Sequence, residues 1–181
     1  MFKINMGCGW RDFGEGWIHV DGGDYDHLDS NDIFIRDYEN DSVDLIYVSH
    51  FIEYFDREEI VSLLERWKEV LKLNGVLRLA VPNFSKIASL YIKSYEPYGM
   101  DDFVGLLYGK MPMGDKTIYH KTVYDFRSLS KLLESVGFRD VKHYDWRDTE
   151  HSQFDDHSQA YLPHMDKENG TLMSLNVECI K

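Results

Sequence analysis

Residues Ile4 to Asp21 read Ile-Asn-Met-Gly-Cys-Gly-Trp-Arg-Asp-Phe-Gly-Glu-Gly-Trp-Ile-His-Val-Asp, and this stretch decides the fold. A short apolar run, Phe2 to Met6, stops at the turn Gly7-Cys8-Gly9, and a second run, Trp17 to Val20, ends in Asp21. A strand, a glycine turn and a strand tipped by a carboxylate compose a nucleoside site. Glycine lets backbone approach a ligand closely, and an acid can accept from both ribose hydroxyls. A dinucleotide fits poorly. The Gly-x-Gly-x-x-Gly pattern needs glycine at position 12, where Asp12 stands, and an acid there opposes a pyrophosphate. No Lys-Ser/Thr pair follows, so the turn is not a P-loop. A nucleoside ligand without phosphates remains.

Outward from this stretch, short apolar runs recur at Ile33–Ile35, Val43–Val48 and Val76–Val81. Each is bounded by polar or turn residues, which suits buried parallel strands. Only a short loop joins the first two runs, so the first crossover helix is a turn or two at most. Helices fall between the later runs. Asp56 and Glu59 have capping-box spacing, Ile60, Leu63, Leu64, Trp67 and Leu71 recur at helical period, and Asn74-Gly75 reads as the stop. Phe84, Ile87, Ala88 and Tyr91 mark a second amphipathic helix. Phe126, Leu129, Leu133 and Val136 mark a third, stopped by Gly137. Phe138–Trp146 and Leu172–Ile180 read as strands paired antiparallel at one edge. The expected architecture is α/β: a Rossmann-like, doubly wound, mostly parallel sheet with an antiparallel C-terminal edge strand, forming one domain over residues 1–181.

Two segments break the rhythm. Residues 97–121 hold a short helical patch and the loop Gly109-Lys-Met-Pro-Met-Gly114, and residues 147–170 are polar and carry His151, His157 and His164. Long irregular segments in a compact domain are commonly functional, and in this architecture they sit at the carboxyl ends of the strands, where lids and acceptor pockets form. The three histidines with Asp155 and Asp156 match no zinc spacing, so no metal is expected.

The net charge of −12 argues against a phosphate-backbone partner, which needs clustered Lys and Arg, and so against nucleic acid. With 43% hydrophobic and 29% charged residues, the composition is that of an ordinary globular protein. No apolar run reaches membrane-spanning length and the amino terminus lacks a signal-peptide pattern, so no membrane partner is expected. The two cysteines are Cys8 and Cys179. Cys8 lies inside the ligand turn, so a structural disulfide is not expected and a cytoplasmic location is. Oligomeric state is not legible.

The order and spacing of several motifs resemble the class I S-adenosylmethionine-dependent methyltransferases. The closest match is to small members with a Gly-Cys-Gly...Gly-Trp-Ile-x-Val-Asp opening. The resemblance continues through Asp41–Phe55, Trp67–Pro82 and Leu132–Phe138. Asn5, Arg11 and Tyr54 depart from the usual residues of the family pattern, where an acid, a glycine and a histidine are common. The resemblance implies S-adenosylmethionine as cofactor and a small-molecule acceptor, with a saccharide or its conjugate among the candidates. It implies that Gly7, Cys8 and Gly9 wrap the methionine part, that Asp21 holds the ribose, and that Asp37, with the Tyr38 backbone, meets the adenine. Ser49 and His50 then face the reacting centre.

Each of these residues also has a structural reading. Asp21 reads otherwise as a strand-end acid, Asp37 as a turn residue, Cys8 as a small residue contributing backbone alone, and His50 as a hydrogen-bonded core histidine. Glu53, one turn beyond Ser49, either caps or orients it. His120 titrates near neutral pH and can take a proton from a hydroxyl, or it is a loop histidine bonded to backbone. His120 and His50 are the two candidate catalytic bases. Two other classes compete with methyl transfer: a non-catalytic S-adenosylmethionine-binding regulator, and a nucleotide-dependent oxidoreductase on the same plan.

Overall fold

The structure, a computed structural model, describes residues 1–93 and 98–181. Pro97, the expected start of the first irregular segment, lies outside the described residues, and that segment is described from residue 98.

Among the described residues, ten strands and four α-helices follow in order: β1 Lys3–Met6, β2 Trp17–Val20, β3 Val43–Ser49, α1 Glu59–Val70, β4 Leu71–Pro82, α2 Phe84–Lys93, α3 Met100–Tyr108, β5 Met111–Met113, β6 Lys116–Ile118, α4 Phe126–Val136, β7 Arg139–His143, β8 Tyr161–Leu162, β9 Thr171–Leu172 and β10 Ser174–Ile180. Six of the strands form one sheet in the order β2-β1-β3-β4-β10-β7. β1 pairs parallel with β2 and β3, and β3 with β4; β10 runs antiparallel to both β4 and β7. This is the mixed, mostly parallel α/β sheet the sequence implies. The antiparallel strand β10 lies one position in, with β7 outside it.

Strand alternation sorts the core. On β3, Ile46 and Val48 face Ile4, Met6, the α1 residues Ile60, Leu63, Leu64 and Trp67, and the α4 residues Leu129 and Leu133. Leu45 and Tyr47 face the other way, onto Phe13, Trp17 and Phe154. Among the described residues no α-helix joins that second cluster; the short 3-10 turn His157–Gln159 and its neighbours lie over the face instead. Phe13, from the loop between β1 and β2, stacks on Phe154 with ring centroids 4.4 Å apart. His151, fully buried, lies against Tyr47 at 3.9 Å.

The helix ends show how local chemistry places the elements. The Asp56 carboxylate accepts from the Glu58 and Glu59 amides at 2.9 and 2.8 Å, and Glu59 Oε2 accepts from the Asp56 amide at 3.2 Å, closing the expected box. Gly137 at φ 91° ends α4 in the left-handed region. Two expectations are corrected. Asn74-Gly75 is not the stop of α1: the helix ends at Val70, and Asn74 at φ 66° forms an irregularity within β4. Ile33–Ile35 is not a strand. Ile35 takes φ 45°, and α1 claims the carbonyls a strand would need, with Trp67 Nε1 donating to Ile33 O at 2.9 Å and Arg66 to Ile35 O and Tyr38 O at 3.2 and 2.7 Å. Among the described residues no helix is long and apolar enough to cross a membrane.

Candidate functional site

The loop between β1 and β2, residues 7–16, contains no helix at all. Gly7 and Gly9 take φ 68° and 57°, and a side chain at Gly7 would collide with the Phe51 ring. Side chains of the following strand hold the loop. The Asp21 carboxylate accepts from the Gly9 amide at 2.9 Å and the Gly23 amide at 2.7 Å. His19 Nε2 accepts from the Phe13 amide at 2.8 Å. That contact fixes His19 as the Nδ1-protonated tautomer, and burial holds its pKa below the ordinary value. Asp12 accepts from the Gly14 amide and lies 3.5 Å from His19 Nε2. The Cys8 thiol is pushed up to about 12 by burial and by Asp21, so it stays protonated and is no nucleophile.

This loop borders a cleft of about 740 Å³ at the carboxyl ends of β1 and β3. The volume lies within the roughly 300–1,000 Å³ range of ligand pockets. Gly7, Gly9, Ser49, His50 and His120 all line it. Cys8 and Asp21 sit directly behind its glycine wall, buried. Asp37 and Tyr38 do not line it: the Tyr38 ring stacks on Phe2, and its carbonyl is taken by Arg66. Tyr25 lines the cleft beside Asp21, where a side chain at Gly23 would meet both. Sequence reading missed Tyr25 because no apolar run or motif surrounds it.

Both candidate bases reach the cleft floor. His50 follows β3 at φ 49°, a strained conformation for a residue with a side chain, and its amide donates to Ala80 O at 2.8 Å. Its Nε2 lies 3.5 Å from Ser174 Oγ. His120 is held from two directions: its amide donates to Tyr108 O at 2.7 Å, and its Nδ1 lies 3.2 Å from Leu106 O. A carbonyl only accepts, so Nδ1 carries the proton and Nε2 is the basic nitrogen. Burial holds both rings below the ordinary histidine pKa. Ser49 Oγ is buried with no hydrogen-bond partner among the described residues.

The second irregular segment contributes Asp155, Asp156, His157 and His164 to the cleft wall, and Arg11 bridges to it by donating to Asp155 O at 3.0 Å. The His157 ring is 5.0 Å from that of His50. His151 lies on the opposite face of the sheet, so the three histidines of this segment do not converge.

The fold has counterparts among solved structures. An S-adenosylmethionine-dependent methyltransferase from Archaeoglobus fulgidus matches over 99% of this chain and 85% of its own, with a TM-score of 0.60 and 18% identity. The fold is that of the S-adenosylmethionine-dependent methyltransferases. A second such enzyme, from Mesorhizobium loti, matches over 99% and 90% with a TM-score of 0.54 and 14% identity. The Burkholderia thailandensis 1,6-didemethyltoxoflavin-N1-methyltransferase, solved with bound 1,6-didemethyltoxoflavin and S-adenosylhomocysteine, matches over 99% and 70% with a TM-score of 0.54 and 11% identity. No protein-family model and no curated protein matches the sequence.

Proposed function

We propose that this chain transfers a methyl group from S-adenosylmethionine to a small polar molecule. The observation that carries the reading is the left-handed Gly7–Gly9 turn, drawn onto Asp21 and opening into a cleft that also receives Ser49, His50 and His120. The residues present fit the cofactor. Backbone at Gly7, Cys8 and Gly9 offers an approach free of side chains to the methionine part. Each Asp21 oxygen accepts one amide and keeps a further lone pair for a ribose hydroxyl. Tyr25 supplies an aromatic wall beside that acid, and the unpartnered Ser49 hydroxyl offers one polar contact.

When bound, the cofactor brings the activated methyl group. Transfer to a neutral oxygen or nitrogen releases a proton, and the protein's task is to position the acceptor, exclude water and receive that proton. His50 and His120 suit the last role, because burial keeps their rings neutral near neutral pH. The net charge of −12 speaks against nucleic acid as acceptor.

Calorimetry and thermal unfolding with S-adenosylhomocysteine test the reading. Binding with a raised melting temperature is expected, since a ligand selective for the folded state stabilises it by mass action. No heat and no thermal shift at millimolar ligand would overturn it.

A further inference from the structure

The short 3-10 turn Ile52–Tyr54 carries Glu53 beneath the cleft floor. Its side chain is 1% exposed, and neither carboxyl oxygen has a hydrogen-bond partner among the described residues. An ionised carboxylate left so is costly to bury. Oε1 instead stands between the two candidate bases, 3.6 Å from His50 Nδ1 and 3.8 Å from His120 Nε2. Both separations lie just outside direct hydrogen-bond reach, as is common for catalytic contacts before a ligand closes the site. His120 Nε2 is the nitrogen left bare when Nδ1 donates to Leu106 O. Two lone pairs cannot face each other across this gap without a proton between them.

We propose that Glu53 is the positioning residue of the cleft: its carboxyl group holds one proton in common with His50 Nδ1 and His120 Nε2, and so decides which ring serves as the base. In one form Glu53 is a neutral acid between two neutral imidazoles. In the other, its O–H bond breaks, an N–H bond forms on one ring, and a carboxylate faces one imidazolium. The net charge of the group is unchanged, so the burial that disfavours an isolated ion does not bar the exchange. Both histidines cannot be charged together, because one carboxylate compensates one imidazolium. The catalytic meaning of the assignment rests on the methyl-transfer reading; the shared proton does not.

Other titratable groups around Glu53 are separable from it. Burial pushes its own carboxyl up to about 8. Tyr54 on the same turn and Tyr124 from the segment before α4 are pushed up to about 12, chiefly by burial. His157 and Arg11 approach from beyond His50, and Arg57 lies over the outer face of Tyr124.

Nuclear magnetic resonance of the histidine ring nitrogens, followed from acid to alkaline pH, tests the proposal on the wild-type protein and on Glu53→Gln. Wild type should show a step near pH 8 shared by the His50 and His120 rings, and Glu53→Gln should lose that step from both. A role confined to packing would move neither. Wild-type rings that show no common step would overturn the proposal without any variant, and so would a common step that survives in Glu53→Gln. S-adenosylhomocysteine calorimetry on the same samples separates the two readings: absent binding with the shared step present would overturn methyl transfer and leave the Glu53 assignment standing.

Discussion

Residues 147–170 and residues 98–121 both border the cleft and both lack long strands, yet the first is packed into the fold while the second lies mostly on its surface. The 147–170 segment buries Thr149, His151, Asp156, Ser158 and Gln159, and the described part of 98–121 buries Phe103 alone. The difference follows from what each segment meets. Phe154 and His151 meet a sheet face where, among the described residues, no α-helix competes for Phe13, Trp17 and Tyr47. The Asp156 carboxylate accepts from the Tyr47 hydroxyl, and Thr149 and Gln159 donate to backbone carbonyls, while among the described residues the His151 nitrogens and the Ser158 hydroxyl have no partner. The 98–121 segment meets only the cleft rim. Its α3 helix packs on α2 through Phe103, its β5–β6 hairpin is exposed, and His120 is the side chain it commits inward. An irregular segment thus becomes core where a sheet face is vacant, and a surface cover where none is.

If the comparison holds, stability should depend on the first segment and its partners, and turnover on the second. The largest effect is expected for Phe13→Ala, which removes the ring sandwiched between the sheet and Phe154. A loss of about 3–5 kcal/mol in denaturant unfolding is expected, the usual cost of a deleted core aromatic. A loss below about 1 kcal/mol would mean that the segment does not seal this face.

His120→Ala should lower the chemical step roughly 10²–10⁴-fold if His120 is the base, with S-adenosylhomocysteine affinity nearly intact. Single-turnover rates with an accepted substrate read this directly. An unchanged rate would leave His50 as the base and demote the rim histidine to a support.

Acid should act through the packed segment. Burial lowers His151 to about 3, below its ordinary value near 6.5. As pH falls the unfolded chain binds this proton first. The stability tied to the neutral ring is therefore complete above about pH 6.5 and drains away towards pH 3, at up to ~1.4 kcal/mol per pH unit. His151→Phe keeps an aromatic ring there and removes the titration. Its stability at neutral pH should match or exceed wild type, because neither His151 nitrogen has a hydrogen-bond partner among the described residues. Unfolding curves at descending pH should be less steep in the variant, and equal steepness would contradict the account. The smallest effect is expected for Tyr108→Ala at the end of α3. Tyr108 is 61% exposed, and the change should stay within about 0.5 kcal/mol of wild type.

The same contrast explains what was legible in the sequence. Strands β1 to β4 and helices α1 and α4 were readable because their apolar runs and periodic faces are buried, and the caps at Asp56 and Gly137 are local chemistry; of the face read for α2, Ile87 is buried while Phe84 and Tyr91 are exposed. The run Ile33–Ile35 misled because its carbonyls go to Arg66 and Trp67, partners about thirty residues away that no local pattern announces. Asn74-Gly75 misled for the opposite reason, since a left-handed residue ends a helix and bends a strand equally well. At the site, the glycine turn, Ser49, His50 and His120 came to line one cleft. Asp37 and Tyr38 did not, because their place depended on the strand that is absent. Tyr25 had no signal beforehand, Arg11 stood out only as a departure from the glycine motif, and the 155–157 wall only as part of an irregular segment. They reach the cleft through tertiary packing of irregular backbone, which has no period to read.

One consequence of the β1–β2 loop concerns how the molecule breathes. β2 is the edge strand of the sheet, paired along its length with β1 and on its other side only with the short Asp29–Ser30 segment, and the side chains of His19 on it and Asp21 just after it hold the glycine loop. Loop order and strand pairing are therefore one equilibrium: whatever opens β2 releases the loop, and whatever clamps the loop slows the opening. A ligand seated on Gly7–Gly9 would be felt as slower amide exchange along Trp17–Val20, an edge that would otherwise be among the first parts of the sheet to fray.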